Sequence, residues 1–274
     1  IIGGFAISFF GGSRVQIGGP TGAFVVIIYG IIQKYGYNGL LVATLMAGIM
    51  LIFFGIFRFG TVIKYIPYPV TVGFTAGIAL LIFSSQIKDL LGLNIEKLPA
   101  EFIEKMEVIY HNLNSFNYIA FLIGISTIII SILWNKKFKK IPGSLIAIII
   151  TTLAVSLFHL PVETIGSQFG SVPNTFEPLQ FPDISFKLVK ELFYPSLTIA
   201  LLAGIESLLS AVVADGMIGT KHNSNMELIG QGIANLLTPI FGGIPATGAI
   251  ARTATNIKSG GRTPFAGIIH ALVL

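Results

Sequence analysis

The chain has 274 residues, 53% of them hydrophobic and 11% charged, with a mean hydropathy of +0.84. Soluble domains carry about 25% charged residues, so this composition belongs in lipid and excludes an ordinary water-soluble fold. The net charge of +5 comes without a basic stripe interleaved with aromatics, which argues against a nucleic-acid partner, and zero cysteines exclude disulfides, cysteine-zinc sites and thiol catalysis.

A membrane helix needs about 20 mainly apolar residues. In chain order, residues 1–12 read as a cut span, and 15–33, 40–57 and 70–87 as spans free of charged residues. Residues 92–115 form a polar connection whose alternating charges between Glu96 and Glu107 suggest a surface helix. Spans 116–135 and 141–158 follow, then a Pro- and Phe-containing stretch, 159–190, expected to be an irregular external loop. Span 192–214 holds one acid, Glu206. Residues 228–251 suffice for one span and the start of another, divided near Pro239 to Gly243, and 264–274 reads as a second cut span. The chain opens and stops inside apolar runs, so both ends are expected to be truncated. Gly73 and Gly77 make a small-xxx-small face suited to close helix packing.

Orientation follows the Lys/Arg bias. Lys136, Lys137, Lys139 and Lys140 form the strongest basic cluster and mark the cytoplasmic side. Alternation then places Arg14, Arg58, Lys64, Lys221, Lys258 and Arg262 on the same side. Most acids fall outside: Asp89, Glu96, Glu101, Glu104, Glu107, Glu163, Glu177 and Asp183.

Two stretches echo each other: Gly18-Gly19-Pro20-Thr21-Gly22-Ala23 and Gly243-Ile244-Pro245-Ala246-Thr247-Gly248-Ala249. Broken spans at matching places in two halves of a chain point to a transporter's central site. The start of a half-helix leaves backbone N–H groups unpaired, and these attract anions. In the first stretch an extended segment is expected to lead to a helix with Pro20 in its first turn. The N–H groups of Thr21 to Ala23 and the Thr21 hydroxyl would then be donors. A kinked, tightly packed helix is the structural alternative. In the second stretch Arg252 follows the break within one or two turns. A mid-membrane arginine costs at least about 2.5–3.5 kcal/mol and needs an anion, an acid or water to offset it, unless it snorkels to the interface. Glu206 has Ser210 one turn later on the same face. It could load a proton, so that an anion crosses without a second buried negative charge; the alternatives are a Glu206–Arg252 ion pair or a glutamate bonded to a neighbouring helix. Asp215 reads as a solvated helix end. No P-loop, GxSxG or dinucleotide motif is present, the four histidines show no metal spacing, and no cofactor is expected.

These residues resemble the SulP family of sulfate permeases and anion transporters. The resemblance rests on 12–23, on Pro67 through Gly77, on Glu206 through Asp215, and on Pro245 through Pro264. It implies an all-α polytopic membrane protein, part of a 7+7 inverted-repeat transporter fold with core and gate domains and half-helices in its third and tenth spans. On that map residues 1–66 form the first part of the core domain and 67–158 the gate domain. Residues 159–190 are an extracytoplasmic loop, and 191–274 the second part of the core, ending in the eleventh span. The family's first span and C-terminal STAS domain would lie outside this chain.

By motif, Thr21, Gly22 and Ala23 match the start of the third-span half-helix. Gly248, Ala249, Ile250 and Ala251 match the start of its tenth-span counterpart, with Arg252 at the usual basic position. Glu206 and Ser210 match positions that serve cation coupling. Sodium-coupled bicarbonate members carry Asp and Thr at these two positions and a hydroxyl where this chain has Ile250, so the departures favour a proton. The resemblance thus implies a secondary transporter, not an enzyme, that carries sulfate by proton symport with an elevator-like movement of the core. Its implied partners are an inorganic anion (sulfate or bicarbonate), a proton, membrane lipid and a second copy of the chain as a homodimer, in a bacterial inner membrane. Bicarbonate or dicarboxylate transport (sodium-coupled or chloride-exchanging), nucleobase uptake and an anion-binding sensor without transport are the alternatives.

Overall fold

The computed structural model describes residues 1–61, 68–95, 97–99, 101–138, 141–170, 179 and 181–274. Lys64, Pro67, Glu96, Lys139, Lys140 and Glu177, each given a place above, lie outside the described residues. Helices dominate: α1 (Ile2–Phe10), α2 (Val25–Ile56), α3 (Tyr68–Leu91), α4 (Phe102–His111), α5 (Tyr118–Lys137), α6 (Gly143–Phe158), α7 (Ile165–Phe169), α8 (Phe186–Ile218), α9 (Ser224–Leu237), α10 (Ile250–Lys258) and α11 (Phe265–Val273). Two short strands, β1 (Gly18–Gly19) and β2 (Thr247–Gly248), complete them. The chain divides into two compact units, residues 1–75 with 175–274, and residues 76–174.

Among the described residues three helical stretches are long and apolar enough to cross a membrane: Gly22–Ile56, Tyr118–Lys137 and Phe186–Ile218. The expected spans 15–33 and 40–57 are thus partitioned differently. Residues 11–21 are not helical, and a 3-10 turn, Gly22–Phe24, runs directly into α2. Within α2, Gly36 takes φ 69° and ψ −177°, a conformation a side chain would oppose. The turn and helix before Gly36 are about 20 Å long at 1.5 Å per residue, well short of a 30 Å hydrocarbon core, whereas the helix after it can span that core. The glycine therefore separates a half-helix from a full crossing.

In the first unit α2 packs on α8 and α9, and α1 packs on α9 and α11. Leu40, Leu51, Leu192 and Ile199 are among the fully buried residues that fill the α2–α8 seam. Helices α2 and α9 touch backbone to backbone. A Cβ on Gly48 would come within 2.8 Å of the Gly232 carbonyl oxygen, and one on Gly232 within 2.7 Å of the Gly48 oxygen. Gly73 and Gly77 are expected to pack closely, but both are exposed, and among the described residues no heavy atom lies within 4 Å of a Cβ placed at either. The glycines that matter are those facing a neighbour's backbone, a property that spacing alone does not report. Asn235 of α9 clamps the second break. Its Nδ2 donates to the Ala246 carbonyl (2.8 Å) and its Oδ1 accepts from the Ala246 N–H (2.9 Å).

In the second unit α5 packs on α6, and Leu93, Ile95 and Ile109 form a small core that seats α4. The surface helix expected near 96–107 is α4, displaced a few residues toward the C-terminus. The stretch expected to be irregular, 159–190, contains α7, capped by Thr164 and Ser167, and the first turn of α8, capped by Ser185.

Because the α2–α9 contact admits no Cβ, Gly48→Ala should force the helices apart and destabilise the protein by about 1–3 kcal/mol. A lowered thermal transition of the detergent-purified protein, at unchanged expression, is the expected reading.

Candidate functional site

The two broken stretches pair with each other. β1 and β2 run antiparallel in the register Gly18↔Gly248 and Gly19↔Thr247. The Ala249 N–H extends the ladder to the Ile17 carbonyl at 2.8 Å. Each strand leads straight into a helix start, at Gly22 and at Ile250. Antiparallel strands enter from opposite directions, so the two positive helix ends point back toward one shared place. The first-turn amides at Gly22 and Ala23 and at Ile250 to Arg252 have no acceptor within their own helices, whereas the Phe24 N–H donates to the Thr21 carbonyl at 3.3 Å.

A single face of α8 carries this pair of strands. Thr247 Oγ1 donates to the Ala203 carbonyl (2.8 Å), Thr21 Oγ1 donates to Glu206 Oε2 (3.0 Å), and Gln16 Nε2 donates to Ser207 Oγ (2.9 Å). Ser210 Oγ donates to Thr253 Oγ1 (3.2 Å), which also accepts the Ile17 N–H at 3.0 Å. Positions 203, 206, 207 and 210 follow the helical repeat, so one stripe holds both strands and both helix starts.

The residues singled out above fall into three groups. Thr21 and Glu206 are joined directly. Ser210 turns to Thr253 of α10, on the same stripe. Arg252 reaches across the break: its Nη2 donates to the Pro20 carbonyl at 3.3 Å, and its Nη1 would lie 2.7 Å from a Cβ at Gly19. The alternatives for Arg252 and Glu206 are thereby decided in part, since the two form no ion pair and Arg252 turns to the opposite break. Gly22, Ala23, Ile250 and Ala251 lie at the helix starts, as expected. Three details differ from expectation. Pro20 precedes the first helical turn, because Thr21 adopts an extended N-cap conformation (φ −127°, ψ 157°). The Thr21 hydroxyl is occupied by Glu206, and the Ala249 N–H by Ile17, so neither is a spare donor.

A cavity of about 400 Å³ opens beside the strands, lined by Gly3, Gly4, Gly18, Gly19, Pro20 and Arg252 among others. A second, of about 450 Å³, meets Ile17, Thr255, Asn256 and again Arg252. Arg252 thus faces open space on two sides, while Glu206, 5% exposed, is closed in. Water occupies about 30 Å³ per molecule, so the first cavity admits a small oxyanion with part of its hydration shell. Among the described residues no cluster of three or more His, Asp or Glu could hold a metal ion.

Several residues of the site were not found from the sequence. Gln16, Ser207, Thr247 and Thr253 are buried polar groups inside apolar runs, and each required a partner. Glu206 is also not the one acid inside the fold: Glu227, at the start of α9, is fully buried and accepts four hydrogen bonds.

Comparison with known proteins places this architecture. The sulfate permease family matches residues 1–274. The chain belongs to the sulfate permease family. It is 51% identical over its whole length to the Bacillus subtilis (strain 168) protein named "Putative sulfate transporter YvdB", and covers 52% of that protein. It is 32% identical over its whole length to the bicarbonate transporter BicA of Synechocystis, covering 49% of it. The chain therefore spans about half the length of these curated relatives. The solved transmembrane domain of a cyanobacterial BicA superposes with a TM-score of 0.83 at 29% identity, covering all of this chain and 71% of that one. SLC26A9 superposes at 0.79 with 18% identity over 99% of this chain and 48% of that one. As a family member the chain is an integral membrane protein, and it carries part of the 7+7 inverted-repeat fold.

Thr21→Val should remove the hydroxyl that serves Glu206 and leave a buried acceptor unpaired, at about 1–3 kcal/mol. A drop in the melting temperature of Thr21→Val, largely restored in Thr21→Ser, is the expected outcome.

Proposed function

We propose that the chain forms the transmembrane part of a secondary transporter that carries a small inorganic anion, sulfate foremost, in symport with a proton. The single observation behind this reading is the antiparallel pairing of the two breaks, with Arg252 lying across it. Two helix starts and one guanidinium then give a positive field with no acid among the described residues paired to it, in a site where irregular backbone is tolerated only because protein covers it. Main-chain N–H groups at Gly22, Ala23, Ile250 and Ala251 would hold the oxyanion, Gly248 and Ala249 would shape the floor, and Arg252 would supply charge.

Glu206 is proposed as the proton carrier, with Ser210 and Thr21 orienting its surroundings. A sodium site would need several oxygen ligands, and Ile250 contributes no side-chain oxygen. The division into two compact units supports movement of one unit, as the core domain, past the other, as the gate. Bicarbonate is the second reading, favoured by the relatives and the solved transmembrane domain that are named for it.

Radiolabelled sulfate and bicarbonate uptake into proteoliposomes, under an imposed pH or sodium gradient, tests the reading. Sulfate accumulation driven by the pH gradient is expected; no flux of either anion would end the proposal, and drive by sodium alone would replace the proton. Glu206→Gln should abolish pH-driven accumulation while retaining anion binding; an unaltered proton dependence would remove Glu206 from the coupling role. A hydrogen bond to a charged group contributes about 1.5–3 kcal/mol, so Arg252→Ala should raise the anion KM roughly tenfold to a hundredfold. Unchanged affinity in this variant would assign Arg252 to the membrane interface instead.

A further inference from the structure

Glu227 is the most densely bonded side chain described here, and the proposed transport cycle gives it no task. Its Oε2 accepts the N–H groups of Gly12 (2.8 Å) and Ser13 (3.1 Å), and its Oε1 accepts from Ser207 Oγ (2.7 Å) and Gln231 Nε2 (3.0 Å). All four donors come from buried or half-buried positions on three separate segments: the loop after α1, helix α8 and helix α9. A carboxylate offers only acceptor sites, so it sets the direction of every bond that follows from it. Ser207 must donate to Glu227, and its oxygen is then left to accept. Gln16 meets that oxygen at 2.9 Å and the Ser207 carbonyl at 3.3 Å, both acceptors, which fixes the side-chain amide with Nε2 toward α8.

The fixed amide has a structural consequence. Gln16 lies two residues before β1 and packs against Gly248 of β2 so closely that a side chain there has no room. Ser207 adjoins Glu206. One chain of hydrogen bonds therefore runs from Glu227 through Ser207 to Gln16, touching the strand ahead of one helix start and packing on the strand ahead of the other. The extended stretch is pinned at both ends, to α9 by Glu227 at Gly12 and Ser13 and to α8 by Glu206 at Thr21. A two-residue ladder is too short to hold its own register.

We infer that Glu227 and Ser207 are positioning residues for the anion site: they set the register of residues 12–21 against α8 and α9, and so the placing of both helix starts, without touching the transported ion. The inference rests on the reading of these helix starts as an anion cradle. Glu227→Gln has nearly the same shape but turns one acceptor into a donor: placed toward Gly12 and Ser13 the new amide would set donor against two backbone donors, and placed toward Ser207 and Gln231 it would reverse the bonds that fix Gln16. Glu227→Asp keeps both acceptors.

The full-length transporter, purified and reconstituted, provides the test. In sulfate uptake Glu227→Gln should raise KM at least tenfold with Vmax per folded molecule within about twofold, while Glu227→Asp should stay within about threefold of the parent KM. Hydrogen exchange adds a readout that does not depend on transport. Peptides covering residues 12–24 and 246–252 should exchange at least tenfold faster in Glu227→Gln, with those of α5 unchanged. Should Glu227→Gln fail to fold, Ser207→Ala should show the same changes, three- to tenfold in KM. A parental KM with only reduced Vmax, or unchanged exchange in residues 12–24, would overturn the inference. If the parent moves no anion yet the exchange result holds, the positioning role stands and the transport reading falls.

Discussion

Backbone that leaves the helix inside a membrane must find partners for its polar groups within the protein, and this requirement shapes the whole first unit. The chain meets it by making its two breaks serve each other. Gly18 and Gly19 pair with Gly248 and Thr247, and Ala249 bonds to Ile17. What the ladder leaves over is the first turn of each following helix, where no acceptor exists by geometry. The concentration of unspent N–H groups is thus a remainder of satisfying all the others. In the proposed function it is also where the anion is held.

Close approach has to precede those bonds, and small residues supply it. Gly48 and Gly232 let α2 and α9 meet backbone to backbone, which seats the helix bearing Glu227 and Asn235 against the helix that follows the first break. Gly248 leaves room for the Gln16 amide, and Gly19 for the Arg252 guanidinium. Each glycine is fixed by what lies across from it. A side chain at Gly19 or Gly248 would press on a group of the candidate site, and one at Gly48 or Gly232 on the helix that faces it.

Much of this was legible in the sequence, for definable reasons. The two Gly/Pro-broken stretches stand out because they interrupt apolar runs, and a lone Arg252 and a lone Glu206 stand out because charge is scarce in such a chain. Half-helices, helical content and the meeting of the two breaks followed from those signals and from family resemblance. Partner choice did not follow. Nothing in local pattern says that Thr21 bonds to Glu206, or that Arg252 bonds to Pro20 instead of an acid. Those outcomes depend on contacts between segments separated by well over a hundred residues. Glu227 was hidden for a different reason: a glutamate in the first turn of a helix is ordinarily a solvated group favourable to the dipole, so its type and place raised no alarm. Ser207 and Gln16 are modest polar residues in apolar surroundings, informative only through the rule that such groups cannot stay unpaired.

On the proposed reading, the arrangement also separates two tasks that compete in a low-dielectric site. Attraction for an anion needs positive potential, which an adjacent acid would cancel; carrying a proton needs an acid. Here Arg252 bonds to a carbonyl, with no acid among the described residues paired to it and two cavities open to it, whereas Glu206 is closed in with a neutral hydroxyl. Had the two formed a pair, each would have neutralised the other, and the buried ion pair would have contributed little beyond stability. Holding them apart requires that each have its own partner on a common support. The α8 face provides it, bonding Thr247, Thr21, Gln16 and Thr253 at helical intervals. Because strands, helix starts and acid all hang from one helix, any displacement of that helix would carry them together, and the spacing between cation and acid would survive the movement.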